Sequence, residues 1–239
     1  MPMPAAPLEI HELSAGYGPT RVIEGISFSV PAGERLAVLG RNGMGKTTLL
    51  ATLMGLSTRH GGTIRIGDAD VTGKRTSKRA HLGFGYVPQT RDIFPSLTVE
   101  ENLRSGLKGQ PVAALAAAYD MFPRLRERRR NYGTQLSGGE QQMLSMARTL
   151  LGKPKVLLLD EPLEGLAPII CDELMALLAQ LAATKEVTII LVEQQIERAL
   201  AFANRVIVME RGRLSWTGQP AALTADRTLV DRLVGVGIH

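Results

Sequence analysis

A chain of 239 residues with 44% hydrophobic and 21% charged side chains can bury a full core, which excludes disorder as its default state. Its one cysteine, Cys171, excludes an internal disulfide framework and suits a reducing cytosol, and His11, His60, His81 and His239 lack the spacing of a zinc site. A net charge of +5 favours anionic partners, but aromatics at 4% with no basic stripe among them argue against stacking of single-stranded bases.

The opening MPMPAAPLEIHEL places prolines and early acids where an export signal needs a basic end and an apolar run of about 7 to 15 residues. Residues 8–13 and 26–30 read as short strands by alternation, with the turn-rich Ser14-Ala15-Gly16-Tyr17-Gly18-Pro19 between them. Leu36-Ala37-Val38-Leu39 is a continuous apolar run ending in glycine, the pattern of a strand buried on both faces. A helix beginning near Lys46 carries Leu49, Leu50, Leu53 and Met54 and is closed by Gly55. Residues 63–66 read as a further strand, turning at Gly67-Asp68.

From Leu97 to about Leu151 the pattern turns helical, with segments expected at 99–107, 112–125 and 140–151. Uncharged stretches such as 109–119 fall short of the roughly 18 to 20 apolar residues that span a bilayer, so no membrane-crossing segment is expected. Buried-strand character resumes at 156–159 and 187–192, separated by a helix over 168–184. Shorter strands follow at 206–209 and 214–217, where Trp216 is expected to pack, and a last helix is expected over 223–233. Strands alternating with helices predict an α/β fold with a mainly parallel sheet and helices on both faces.

Three places carry chemistry. Gly40-Arg41-Asn42-Gly43-Met44-Gly45-Lys46-Thr47 fits G-x-x-x-x-G-K-[ST] between a buried strand and a helix, and Thr48 continues it. Glycines let the backbone curl so that its N–H groups face phosphates, and the helix presents its positive end to the same anion. Lys46 supplies a point charge to the β- and γ-phosphates, and the Thr47 hydroxyl suits magnesium. Asp160 and Glu161 end an apolar strand, where ligands of a parallel sheet bind: Asp160 is expected to approach the magnesium and Glu161 to act as general base. Ser137 reads as an N-cap, followed by Gly138, Gly139 and Glu140; this is either a plain helix cap or a second phosphate-binding helix start.

GRNGMGKTT, YVPQ, LSGGEQQ and VLLLDEP, in this order and spacing, resemble the nucleotide-binding subunits of ABC transporters. The resemblance covers nearly the whole chain. It implies a P-loop NTPase of ABC ATPase type forming one domain over 1–239, with an antiparallel β subdomain and a helical subdomain at approximately 92–150 inserted in a RecA-like core. It implies ATP and Mg2+, and a head-to-tail homodimer or heterodimer with a second ABC ATPase. In that dimer each ATP lies between one chain's Lys46 loop and the other's Ser137, Gly138, Gly139 and Glu140. Tyr17 matches the aromatic that stacks on adenine, and Gln89, in YVPQ, matches the glutamine that contacts magnesium and water and signals to the permease. The surface from Gln89 to Val99 should receive a coupling helix of transmembrane permease subunits, with a solute-binding protein engaged indirectly and no nucleic acid. This implies a cytoplasmic protein, peripheral on the inner face of the plasma membrane.

Two positions depart from the common pattern. Gln194 stands where many ABC ATPases have a switch histidine, and its amide can hydrogen-bond a γ-phosphate but cannot carry a proton. That excludes a histidine relay and leaves Lys46, Glu161 and Gln194 as the catalytic set. Ala167 replaces a common aspartate. Together with EGLAP, LVEQ and IFPSLTVEENL, both departures resemble the branch that imports branched-chain and other hydrophobic amino acids, with a close sub-branch for urea and short amides. The alternative of another class is a soluble ABC ATPase acting on nucleic acid or ribosomes, although tandem halves and a long coiled-coil insertion are absent. A GTPase or nucleotide kinase would not explain LSGGEQQ. Arg124, Arg126, Arg128, Arg129 and Arg130 read as a solvated helix end or a contact to anionic lipid.

Overall fold

Two long strands open the fold, β1 (Leu8–Tyr17) and β2 (Thr20–Val30), paired antiparallel down to Tyr17 opposite Thr20, so the expected loop shrinks to Gly18 and Pro19. The sequence shows only the outer ends of this hairpin because register shifts between Ile10 and Gly16 break the period-2 alternation. A strand β3 (Arg35–Leu39) leads into helix α1 (Lys46–Met54), followed by β4 (Thr58–Ile66) and β5 (Ala69–Asp70). The first sheet is antiparallel with order β2-β1-β4-β5. This computed structural model describes residues 4–225.

Next come α2 (Thr76–Leu82) and β6 (Phe84–Val87), neither of which the sequence pattern announces. Thr76–Leu82 has no apolar periodicity, and a four-residue strand is too short to show one. Helices α3 (Val99–Ser105), α4 (Leu115–Met121), α5 (Pro123–Glu127) and α6 (Gly138–Leu151) then separate β6 from β7 (Val156–Asp160). The helix expected over 112–125 is thus interrupted: Val112–Ala114 forms a 3-10 turn, and Phe122, at φ −133 and ψ 81, is pushed out of the helical region by Pro123. The chain continues through α7 (Pro168–Ala183), β8 (Thr188–Val192), α8 (Ile196–Phe202), β9 (Arg205–Glu210), β10 (Arg213–Gly218) and α9 (Pro220–Thr224). Short α8 was also not anticipated. Of the helix expected over 223–233, residues 226–233 lie outside the described residues.

The second sheet has order β10-β9-β3-β8-β7-β6, parallel throughout except for β10 against β9. The inner positions of its central strands, Leu36–Leu39, Val156–Leu159 and Ile189–Val192, are all apolar because both faces are covered. Leu157, Leu159, Ile189 and Leu191 pack with α6 and α7 through Met143, Leu144, Leu174 and Leu178. Their neighbours Val156, Leu158, Ile190 and Val192 face the other way, onto α1 and the antiparallel sheet. Ala37 and Leu39 pack with α8 and α9, where Trp216 of β10 also packs. Among the described residues no helix is long and apolar enough to cross a membrane.

One buried cation fixes the far end of α1. Arg79, 3% exposed, donates to the carbonyls of Thr52 (2.7 Å), Leu53 (2.8 Å), Lys74 (2.8 Å) and Thr72 (3.0 Å). A positive charge at a helix C-terminus offsets the partial negative charge there and satisfies carbonyls that lack intrahelical partners. The C-terminal end of the helix that starts at Lys46 is thereby tied to α2 and the loop before it.

Candidate functional site

The segment from Gly40 to Gly45 turns back between β3 and α1, and two of its glycines are required sterically. A Cβ at Gly40 (φ 143) would stand 2.4 Å from the Met209 carbonyl oxygen, and one at Gly45 (φ 97) would stand 2.8 Å from Ile23 Cγ2. The curl closes over Lys46, which is 4% exposed and donates from Nζ to the carbonyls of Gly40 (2.7 Å) and Arg41 (3.1 Å). Burial holds the Lys46 ammonium below its usual pKa, opposed by the negative charges of Glu161 and Asp160. In front of it opens a cleft of about 390 Å3. Tyr17, Asn42, Gly43, Gly45, Lys46, Thr47, Thr48, Gln89, Glu161 and Gln194 line it together with Val22 and Glu164. Residues expected to bind nucleotide from five separate stretches of sequence therefore meet at one opening.

Asp160 lies behind that lining, fully buried at the end of β7. Thr47 Oγ1 donates to its Oδ1 and the Tyr86 hydroxyl to its Oδ2, each at 3.1 Å. Burial nevertheless pushes its pKa up, beyond what these two donors and Lys46 offset. A hard divalent cation is held by oxygen donors of this kind, and its charge would relieve a buried carboxylate that Lys46 only partly compensates. The residues present thus fit Mg2+.

Glu161 follows in the left-handed region (φ 47), its N–H donating to the Val192 carbonyl at 2.8 Å. Its Oε2 accepts from Gln194 Nε2 at 2.5 Å and from Gln89 Nε2 at 3.2 Å. Gln89 Nε2 also donates to Glu164 Oε2 at 2.6 Å. A further acid, Glu193, is 3% exposed and accepts backbone N–H groups of Leu163 (2.9 Å), Gln194 (2.9 Å) and Gln195 (3.2 Å). It ties the loop that follows Glu161 to the loop that carries Gln194. Burial raises its pKa despite these three donors.

Ser137, Gly138, Gly139 and Glu140 do not line the cleft. They begin α6, where Ser137 Oγ accepts from the Glu140 N–H at 3.3 Å and Glu140 Oε2 accepts from the Ser137 N–H at 2.8 Å, a reciprocal capping box. Arg91 lies against this helix start, since a Cβ at Gly138 would be 3.0 Å from its Nη1.

Residues 23–164 match the family model described as ABC transporter. The chain belongs to the ABC transporter family. A high-affinity branched-chain amino acid transport ATP-binding protein, BraG, of Pseudomonas aeruginosa is 38% identical to it over 232 residues, 95% of this chain and 99% of that protein. A probable branched-chain amino acid transport ATP-binding protein, LivF, of Archaeoglobus fulgidus is 36% identical over 87% of this chain and 89% of its own length. The solved structure of an ATP-binding subunit of an ABC transporter superposes with a TM-score of 0.81 at 27% identity, covering 96% of this chain and 95% of that one. This ABC ATPase binds ATP and hydrolyses it in coupling to transport.

Four contacts around the cleft were not visible in the sequence: Tyr86 on Asp160, Glu164 on Gln89, Glu193 on Leu163, and Arg91 on Gly138. Each joins residues 30 or more positions apart; Tyr86, Glu164 and Glu193 stand inside YVPQ, EGLAP and LVEQ, but those motifs gave none of the three a role.

The raised pKa of Asp160 gives a test. Its charged form costs stability at pH values above the raised pKa, and the cost is relieved as pH falls through it. Asp160→Asn removes that charge; of the Thr47 and Tyr86 hydroxyls, the one facing the new amide nitrogen can reverse to accept while the other keeps donating to the amide oxygen. The thermal midpoint of the ligand-free chain should rise by about 2–4 °C, equivalent to about 1 kcal/mol at this size. The additional stabilisation that Mg2+ gives to the ATP-bound chain should disappear. Thermal unfolding with ATP, with and without Mg2+, measures both; an unchanged Mg2+ increment would remove Asp160 from the metal site.

Proposed function

We propose that this chain energises an importer of branched-chain or other hydrophobic amino acids. The observation that carries the reading is its likeness, over nearly its full length, to ATP-binding proteins of branched-chain amino acid transport. Gln194 at the switch position and Ala167 in the loop after Glu161 support the same branch. Urea or a short amide is the alternative solute. The intact complex, isolated from membranes and reconstituted, should drive ATP-dependent uptake of leucine; uptake of urea without leucine would overturn the assignment.

In this reading the N–H groups of Asn42, Gly43, Gly45, Lys46, Thr47 and Thr48 cradle the phosphates while Lys46 supplies the point charge; Gly40, behind the lining, gives the turn and holds Lys46 through its carbonyl. Tyr17, 52% exposed at the cleft, offers its ring to adenine. Thr47, Gln89 and Asp160 would hold Mg2+, which when bound neutralises phosphate charge. Glu161 takes the proton of the attacking water. It is first held by the Gln194 amide, so Gln194 must exchange Glu161 for the γ-phosphate, and that exchange frees the base as it fixes the phosphate.

Because Ser137, Gly138, Gly139 and Glu140 stand outside the cleft, their helix start serves the nucleotide of a second ABC ATPase, the same or a similar chain, arranged head to tail. Helices α3 to α6, within the approximately 92–150 segment, form the subdomain that carries it. The surface from Gln89 to Val99, where Phe94 is 47% exposed, receives the permease. The chain then sits on the cytoplasmic face of the membrane, reaches the solute-binding protein only through the permease, and needs no nucleic acid.

A further inference from the structure

Glu164 stands three residues after Glu161, and its Oε2 lies 2.6 Å from Gln89 Nε2, against 3.2 Å for Glu161 Oε2. The nitrogen of a side-chain amide has two hydrogens and no lone pair to accept with. In Gln89 both hydrogens point at carboxylates. Turning the amide over would set Oε1, an acceptor, against two acceptors with no proton between them, so the two acids together decide which end of Gln89 faces away from them. Their contributions differ. Glu161 Oε2 is shared with Gln194 at 2.5 Å, and Glu161 has to release both amides to reach a water as general base. Glu164 has no such second task. Its backbone is held as well: its N–H donates to the Glu161 carbonyl at 3.1 Å, and the preceding Leu163 N–H is held by buried Glu193.

We infer that Glu164 is the positioning residue that fixes the Gln89 amide with its oxygen, rather than its nitrogen, turned to the metal. A flipped amide would present N–H hydrogens to a cation, which repel it. The inference rests on the reading of Gln89 as a metal-contacting residue, and it assigns to Glu164 a role carried through Gln89 and not through its own charge.

The test is Mn2+ binding, followed by electron paramagnetic resonance, to the full chain saturated with a non-hydrolysable ATP analogue. Glu164→Ala should weaken Mn2+ binding roughly tenfold, the scale on which residues that orient metal ligands act. Glu164→Gln keeps an acceptor oxygen for Gln89 while losing the charge, and should stay close to wild type. Combined with Gln89→Ala, Glu164→Ala should add no further loss, because its effect passes through the missing amide. Glu164→Gln as weak as Glu164→Ala, losses that multiply in the double variant, or an unaffected Glu164→Ala alongside a weakened Gln89→Ala would each overturn the inference. Unchanged Mn2+ affinity in Gln89→Ala alone would overturn the underlying reading of Gln89 instead.

Discussion

Glu161→Gln is expected to keep ATP binding while hydrolysis falls at least about a hundredfold, the scale of losing a general base. The substitution preserves shape: the new amide oxygen can still accept from Gln194 and Gln89, so the cleft stays assembled. It removes the property the role requires, a carboxylate oxygen that can take the proton of the attacking water. Binding should not suffer, because Glu161 donates nothing to the phosphates and its negative charge beside Lys46 opposes theirs. Phosphate release and equilibrium ATP binding, measured together, decide this; near-normal turnover would take Glu161 out of the role. The same variant reports on the second subunit. With ATP bound and uncleaved, a site shared between two chains should hold them together, so light scattering should show the mass double on adding ATP. A chain that stays single at saturating ATP would sink the head-to-tail homodimer and leave pairing with a different ATPase as the form to test.

How much of this was legible before the structure depends on whether a residue's role is local. Leu36 to Leu39 and Val156 to Leu159 read correctly as strands buried on both faces, since a parallel sheet covered by helices allows nothing polar there. The Lys46 loop was legible for a related reason. Its glycines, lysine and threonine all serve one turn, and the chemistry is contiguous in sequence. From its own residues Ser137 read as a cap or as a second phosphate-binding helix start, and only the family resemblance implied a second chain; that it stands apart from the cleft is a fact of three dimensions. Glu164 and Glu193 lay inside the EGLAP and LVEQ motifs, but their roles were not legible there. Each acts through a contact to a partner 75 or 30 residues away, and a glutamate in a loop has no periodicity to betray such a partner. The β1–β2 hairpin and the break at Phe122 failed for local reasons, a shifted register and the residue before a proline.

Lys46→Ala is expected to weaken ATP binding by at least about a hundredfold, since truncating one partner of a buried charge pair costs on the order of 2–5 kcal/mol. The stability of the ligand-free chain should change far less than its ATP affinity. Lys46 is buried with two backbone carbonyls as its hydrogen-bond acceptors among the described residues, and burial lowers its pKa. Its charged form therefore costs stability at pH values below the lowered pKa, and the cost disappears only as pH rises through that value. Removing the charge relieves that cost but strands the Gly40 and Arg41 carbonyls, while Ala also forfeits the packing of the methylene stem. Lys46→Met keeps the stem and isolates the charge. Its thermal midpoint without nucleotide should lie within about 2–4 °C of wild type, about 1 kcal/mol either way, while the rise that ATP produces should vanish. ATP affinity unchanged in Lys46→Ala would contradict the phosphate-binding assignment. A large fall in the ligand-free midpoint of Lys46→Met would make Lys46 a structural cation, because a residue held ready for a ligand is costly to the empty fold and is compensated only when the phosphates arrive.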